Sequence, residues 1–478
     1  MSAEPSLDLA PVGIRLQLDD RLRTSDDGRT LLGGSPGRLL RVTAAGAALV
    51  GGWQAGSPVG DDRPSRRLAR RLLDAGMAHP RWDPVPAASD VTVVVPTYGR
   101  PAELARCLAA IRATAPAAPI VVVDDGSPAA AEIPRIAASY QASVVTHGDR
   151  RGPSAARNTG LAAVQTPFAA LVDSDVVTPA GWLDALRPYF DDPKVAAVAP
   201  RVLGYEAKPG WLAEYEAAHS PLDMGVVPGL VRPGSVVPYV PTATLLVRVA
   251  ACAAGFDPEL PIGEDVDFEW RLVDAGWNVH YAPSVTVAHE HRARLGEFVA
   301  RRRLYARSIG LLELRHPGAL PAARVSPALA AACLLLAVRQ PVAAAAAGAV
   351  GVGLLARRLR PVLPDPVPAA ARLVGGALPS TAMGLARAVG RVWWPVLVPA
   401  AVVVPRLRLP VAAALVAPLA SDWLGAGRRP GLGGFLAARL LDDVVSTAGT
   451  WEGSLRAGTP GPLLPAGTTA PSRRPEVS

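Results

Sequence analysis

Phe168-Ala169-Ala170-Leu171-Val172, followed at once by Asp173-Ser174-Asp175, is the stretch that decides the fold. The first five residues are an unbroken apolar run of strand length, which reads as a strand buried on both faces of a parallel sheet. In such sheets ligands sit outside the carboxyl ends of the strands, where this chain places two carboxylates. The pattern recurs on either side. Val91–Val95 leads into Pro96-Thr97-Tyr98, and Ile120–Val123 into Asp124-Asp125-Gly126-Ser127; farther on comes Gly263-Glu264-Asp265-Val266-Asp267. Carboxylates gathered on one rim repel each other unless a metal, a cationic substrate or a proton is shared among them. A divalent metal holding a phosphorylated substrate is the economical explanation.

Between these runs the chain alternates. Helices are expected at Pro101 to Ala113, Ala129–Ser139, Ser154–Val164 and Pro179–Tyr189, with further strands at Ser143–Thr146 and Val195–Pro200. Pro101 suits a first helical turn, and Leu104, Leu108 and Ile111 fall on one face. The alternation implies an α/β fold with a mostly parallel, helix-covered sheet.

At 478 residues the chain exceeds one core. Four regions are expected: residues 1–88, a small N-terminal domain; 89–316, the catalytic domain; 317–460, an apolar helical, membrane-associated region; and 461–478, a disordered tail. Cys107, Cys252 and Cys333 are scattered, which is neither a disulfide framework nor a metal-ligand spacing and fits a reducing cytosol. The opening residues are polar and acidic, so no signal peptide is expected there. The formal charge of +8 comes almost wholly from Arg. No basic run is interleaved with aromatics, so nucleic acid is not an expected partner. The arginines thicken beside apolar stretches in the last third, which points to membrane lipid and to a cell-membrane location with the catalytic domain in the cytoplasm. Ala328 to Ala356 is long enough to span, but Pro341 suggests a kink or a shallow hairpin. Val396 to Ala420 contains Arg406 and Arg408, and lodging at the interface with snorkelling arginines is expected there. A soluble Ala-rich helical domain is the alternative.

The acidic motifs carry the chemistry. Asp173 and Asp175 can aim at one ligand from adjacent turn positions, and Mg2+ or Mn2+ favours such oxygens while leaving sites for substrate phosphates. Asp124 or Asp125 can accept hydrogen bonds from a ribose or a base edge, although helix capping would equally account for that turn taken alone. Glu264 and Asp265 open a helix, where the dipole favours negative charge; a carboxylate fixed there is also well held for proton abstraction. His289 and His291 follow a strand and can complete a metal site begun by carboxylates, or serve only in packing.

As an ordered set, Val93-Val94-Val95-Pro96-Thr97-Tyr98, Asp124-Asp125-Gly126-Ser127, Arg157-Asn158 with Gly160, Asp173-Ser174-Asp175 and Gly263-Glu264-Asp265 resemble glycosyltransferase family 2 on the GT-A fold, over about residues 90–295. The resemblance implies that Pro96, Thr97 and Tyr98 line the nucleotide pocket and that Asp124 or Asp125 contacts the nucleoside. It also implies that Arg157, Asp173 and Glu264 face the substrate. Asp175, with Asp173, would coordinate a divalent metal on the diphosphate, His289 would be a further ligand, and Asp265 the general base. It implies a uridine diphosphate sugar donor and inversion at the anomeric carbon. The Gln-x-x-Arg-Trp motif of processive polysaccharide synthases is missing, which argues against extrusion of a long polymer.

A narrower resemblance lies at the borders. His289-Glu290-His291-Arg292-Ala293-Arg294, Phe298, Arg301-Arg302-Arg303, Tyr305, Ser308 and Arg315-His316-Pro317 look like the mycofactocin system glycosyltransferases. That resemblance implies addition of β-1,4-linked glucose to a peptide-derived redox cofactor or its precursor. Residues 1–88, with a strand at Arg38–Thr43 and helices at Ala44–Val50 and Arg66–Ala75, resemble the winged-helix domains that recognise precursor peptides, with a plain packing domain as the alternative. Two other functions fit the same residues: glycan assembly for the cell wall or on a lipid carrier, and a non-catalytic membrane scaffold that binds peptide or nucleotide.

Overall fold

Val91–Thr97 is buried along nearly its whole length and lies in the parallel part of the larger sheet. It pairs in parallel with Ile120–Asp124 on one side and with Phe168–Val172 on the other, and Ser143–Thr146 extends the parallel run beyond Ile120–Asp124. The register sets Thr97 beside Asp124, so the ends of these strands share one rim. Past Phe168–Val172 the sheet changes character. Thr244–Arg248 runs antiparallel to it and to Val195–Gly204, whereas Asn278–His289 returns parallel to Val195–Gly204. Short strands at Val176–Val177 and Gly229–Leu230 close on Asn278–His289 in the antiparallel sense. The nine-stranded sheet is therefore mixed, parallel in the half that the apolar runs announce. The helix that precedes Thr244–Arg248, Trp211–His219, belongs almost wholly to the other packing unit.

The computed structural model describes residues 7–85, 90–128, 132–205, 210–290, 294–361, 363, 365–427 and 431–467. Pro86, residues 129–131 of an expected helix, His291, Arg292, Ala293 and residues 468–478 of the expected disordered tail (461–478) lie outside the described residues. The start of that tail is instead structured, with a helical turn at Gly461–Leu463 and a strand Pro465–Ala466 paired with Ala323–Arg324. By packing the chain forms two units, Met1–Ala207 with His219–His291, and Lys208–Ala218 with Arg292–Ser478.

In the first unit, helix Pro101–Thr114 buries Leu104, Cys107, Leu108 and Ile111, the face its spacing predicts. Helix Pro153–Ala163 lies so close to the sheet that a Cβ on Gly160 would fall 2.2 Å from Val94 Cγ1. The N-terminal residues form a three-stranded antiparallel sheet (Arg23–Thr24, Thr30–Gly33, Arg38–Arg41), helices Ala44–Gln54 and Arg63–Asp74, and a ribbon of Arg15–Leu18 with Ala78–Arg81. Their core holds Leu31, Trp53, Leu72, Leu73 and Met77. Arg70 pairs with Asp192, and Asp74 receives Lys194 at 2.7 Å and the Asn278 amide at 3.1 Å, so this small core is clamped to the large sheet.

The second unit is helical. Leu295–Arg315 packs along Leu432–Ala457 with backbone-close contacts at Gly310, Gly449 and Gly453. Buried polar groups tie in Trp211–His219: Arg302 pairs with Glu216, and the Tyr215 hydroxyl donates to Asp442 at 2.8 Å. Among the described residues three helices, Pro341–Leu359, Pro366–Val403 and Pro405–Gly425, are long and apolar enough to cross a membrane. The 328–356 stretch is two helices, Pro327–Ala337 and Pro341–Leu359, parted at Arg339 with its positive φ of 62°. The 396–420 stretch is split as well, at Val404.

Candidate active site

Asp173 and Asp175 sit on the turn that follows Phe168–Val172. The Asp173 amide donates to the Ala243 carbonyl at 2.9 Å, and the Val176 amide closes the turn on the Asp173 carbonyl at 3.0 Å. Pairing of Val176 with His289 then brings the end of the long strand Asn278–His289 alongside. His289 Nε2 lies 3.2 Å from Asp175 Oδ1. Asp173, Asp175 and His289 each offer a ligand atom within 4.8 Å of the others, so residues distant in sequence meet at one point.

The opposing charges come from arginines. Arg100 Nη1 reaches Asp175 Oδ2 at 2.6 Å. Arg157 is buried and forked: one Nη is 3.0 Å from Asp173 Oδ1, the other 2.9 Å from Glu264 Oε1. A planar guanidinium is suited to bridging two carboxylates in this way. Arg157 therefore joins the Asp173 turn to the helix Glu264–Asp274, whose second residue is Asp265. Burial pushes Asp265 up to about 7, helped by the neighbouring Glu264 charge; its own helix-start hydrogen bond and Arg157 pull the other way. Burial also raises Asp173, against the pull of Arg157. Asp175 is lowered to about 2, because its hydrogen bond and charge interaction with His289, together with Arg100, outweigh its burial. Environments that push neighbouring carboxyls apart are a mark of acid–base assignment.

At the ends of the neighbouring strands Val91–Thr97 and Ile120–Asp124 a second cluster forms. Asp124 is fully buried; its Oδ1 accepts from the Ser127 amide at 3.0 Å. Asp125 holds the following loop, accepting from His147 Nδ1, the Arg151 amide and the Gly152 amide, each at 2.8 Å. Gly126, at φ +74°, passes so near residue 149 that a Cβ would lie 2.7 Å from that backbone. Thr97 Oγ1 and Asp124 Oδ2 are buried and have no hydrogen-bond partner among the described residues. Pro96 is half-buried on the same rim, and Tyr98 is 40% exposed with the Arg150 guanidinium 4.3 Å over its ring.

Of the residues singled out by sequence, Pro96, Thr97, Tyr98, Asp124 and Asp125 fall in one cluster and Arg157, Asp173, Asp175, Glu264, Asp265 and His289 in the other; Arg100, three residues past Thr97, is joined to Asp175, and His291 lies outside the described residues. Sequence reasoning missed Arg100, His147, Arg150 and Glu269. Arg100 stands only three residues past Thr97, and this was its one available signal. Glu269 is fully buried four residues after Asp265, accepts from the Val240 amide at 2.9 Å, and is pushed well above the usual carboxylate range by burial and by Asp265.

Residues 92–250 match the model of glycosyl transferase family 2. The pre-mycofactocin glycosyltransferases of two strains of Mycobacterium tuberculosis are each 37% identical to this chain over 474 residues, which is 95% of this chain and 98% of theirs. A solved mannosyltransferase from Pyrobaculum calidifontis, in complex with GDP-Man and Mn2+, aligns with 76% of this chain and 89% of its own at 19% identity and a TM-score of 0.41. The 37% identity to the pre-mycofactocin enzymes over 95% of this chain shows that the chain belongs to the pre-mycofactocin glycosyltransferase family, and the match over residues 92–250 that it carries a family 2 glycosyltransferase domain.

Proposed function

We propose that the protein moves glucose from UDP-glucose to the peptide-derived redox cofactor mycofactocin or its precursor, with inversion, building a short β-1,4-linked oligoglucose chain at the cytoplasmic face of a membrane. The observation that carries this reading is the link from the Asp173–Asp175 turn through Arg157 to the Glu264–Asp265 helix start. It sets a ligand cluster for a diphosphate beside a carboxylate with a raised proton affinity. The near full-length likeness to the pre-mycofactocin enzymes supports the acceptor.

Two carboxylate oxygens and an imidazole nitrogen within 4.8 Å of one another make a donor set that suits Mn2+ or Mg2+. Bound there by Asp173, Asp175 and His289, such an ion would supply Lewis-acid neutralisation of the departing diphosphate. The residues do the rest. Thr97 Oγ1 and Asp124 Oδ2, buried polar atoms at the strand ends, are placed to take hydrogen bonds from a nucleoside. Tyr98 with Arg150 offers a stacked face for the base. Arg157 keeps Asp173 and Glu264 from repelling each other. Asp265 takes the proton of the acceptor hydroxyl as its oxygen bonds to the anomeric carbon; the bond from that carbon to the nucleoside diphosphate breaks, and the diphosphate keeps the electron pair. One displacement without a protein nucleophile inverts the centre. The N-terminal domain, whose strand Arg38–Arg41 pairs only with Thr30–Gly33 among the described residues, is the proposed seat for a peptide portion of the acceptor.

The test is incubation of the purified full chain with UDP-glucose, Mn2+ and the aglycone precursor. UDP release together with stepwise hexose additions by mass spectrometry is expected. Release with a lipid-linked acceptor but not with the precursor would shift the assignment to envelope glycan synthesis, and no release with any nucleotide sugar would point to a scaffold.

A further inference from the structure

The apolar hairpin around Val404 is tied down far closer to its tip than its helix lengths suggest. In the first arm the helix passes through a π-turn at Val389–Trp393. The carbonyls loosened there are taken by side chains of helix Leu432–Ala457: Thr447 Oγ1 donates to Arg391 O at 2.8 Å and Trp451 Nε1 to Val392 O at 2.8 Å. Trp394 Nε1 donates to Thr447 Oγ1 at 3.0 Å, and Arg391 lies 3.4 Å from Asp443. In the second arm Asp422 receives Arg387 at 3.0 Å and the buried Arg439 at 2.6 Å. This root is a belt of indoles, arginines and carboxylates, the composition of a water-facing boundary.

Past the Trp394 anchor only Pro395–Val403 and the facing part of the second arm remain. At about 1.5 Å per residue they reach roughly 14 Å, about half of a roughly 30 Å hydrocarbon core. The surface they present is apolar: Val402, Val403 and Leu409 are 68%, 79% and 66% exposed. Between Trp394 and Asp422 the only charged residues are Arg406 and Arg408, with no acid to balance them. Arg408 donates to the Ala401 and Val402 carbonyls at 3.3 and 3.1 Å, which covers the last acceptors of the first arm where they would otherwise meet lipid. If the hairpin stood upright in the bilayer, both arginines would lie near the midplane, at about 2.5–3.5 kcal/mol each. An oblique hairpin lets them reach phosphates while the valines enter the acyl boundary.

We propose that the Val402–Leu409 tip docks in one leaflet of an anionic bilayer without crossing it, its valines in the acyl boundary and Arg406 and Arg408 on lipid phosphates. This rests on the membrane association proposed above and replaces a crossing by this helix pair with a one-sided anchor.

The test uses the full chain and vesicles of phosphatidylcholine with or without phosphatidylglycerol. Flotation should show binding that needs the anionic lipid and weakens with salt. Val403→Glu and Arg406→Ala should each weaken it about tenfold or more, with glycosyl transfer to a water-soluble acceptor unchanged. A fluorophore on Val403→Cys, in a Cys333→Ser background, should be quenched most by nitroxides near the lipid headgroups. Strongest quenching by nitroxides at the chain ends, or labelling of Val403→Cys from the far side of the vesicle, would overturn the one-sided anchor and leave membrane association standing. Absence of binding to either vesicle would overturn both, and equal binding to both would refute the phosphate contacts.

Discussion

At the scale of single residues, the site is a balance between acids that the sequence clusters and arginines that the fold delivers. Asp265 carries the sharpest consequence. A carboxyl raised to about 7 is protonated below that pH, so kcat/KM should fall as pH drops through about 7 and level off above it. Arg157 pulls Asp265 downward, so Arg157→Gln should move this limb to higher pH; a limb that stays in place would break the assigned coupling. Asp265→Asn should lower kcat by about 10²–10⁴ with donor binding largely kept, measured by UDP release. Asp175→Ala should instead raise the Mn2+ concentration needed for half-maximal rate, and transfer should vanish on chelation and return with added metal. Near-normal metal dependence in that variant would remove Asp175 from the ligand set. The ion pairs of Asp175 with Arg100 and His289 were invisible in the sequence, because their partners stand 75 residues before it and more than a hundred after it.

At the scale of elements, the parallel strands and their covering helices were legible because each apolar run is unbroken and each helix shows its buried face in its spacing. At Gly160 strand and helix meet closely. Gly160→Ala should destabilise the first unit by about 1–3 kcal/mol through overpacking against Val94, read as a lower thermal midpoint, and Gly160→Val by more. A midpoint that does not move would mean the helix yields readily. Less legible was the antiparallel half. Thr244–Arg248 is a short run that periodicity cannot orient, and only its pairing shows that it runs antiparallel to Phe168–Val172 and Val195–Gly204. Likewise the expected strand before His289 is much longer than its apolar core, because pairing with Val195–Gly204 carries it on through polar positions.

For the whole molecule, composition divides the chain near His316-Pro317, whereas packing divides it near His291 and assigns Lys208–Ala218 to the second unit. A chain ended at 316 would keep helix Leu295–Arg315 but strip it of Leu432–Ala457. Arg302 and Tyr215 would lose Asp442, and Phe298 would lose the aromatic cluster it shares with Phe435. Such a truncated chain should aggregate on size-exclusion chromatography, because breaking a buried charged network costs about 3–5 kcal/mol and bares an apolar helix face. A monodisperse, folded product would show that this helix does not depend on its partner.

The sequence by itself determined the chemistry on offer: apolar runs that can only be buried strands, acids placed just past their ends, and an arginine-flanked apolar tail. Those are local properties, set by side-chain type and spacing. Tertiary structure alone decided which acids meet which cations, which half of the sheet reverses, and how much of each apolar helix is free to touch lipid. Such outcomes depend on contacts between residues far apart in the chain, and no period or motif encodes them until the backbone has closed the distance.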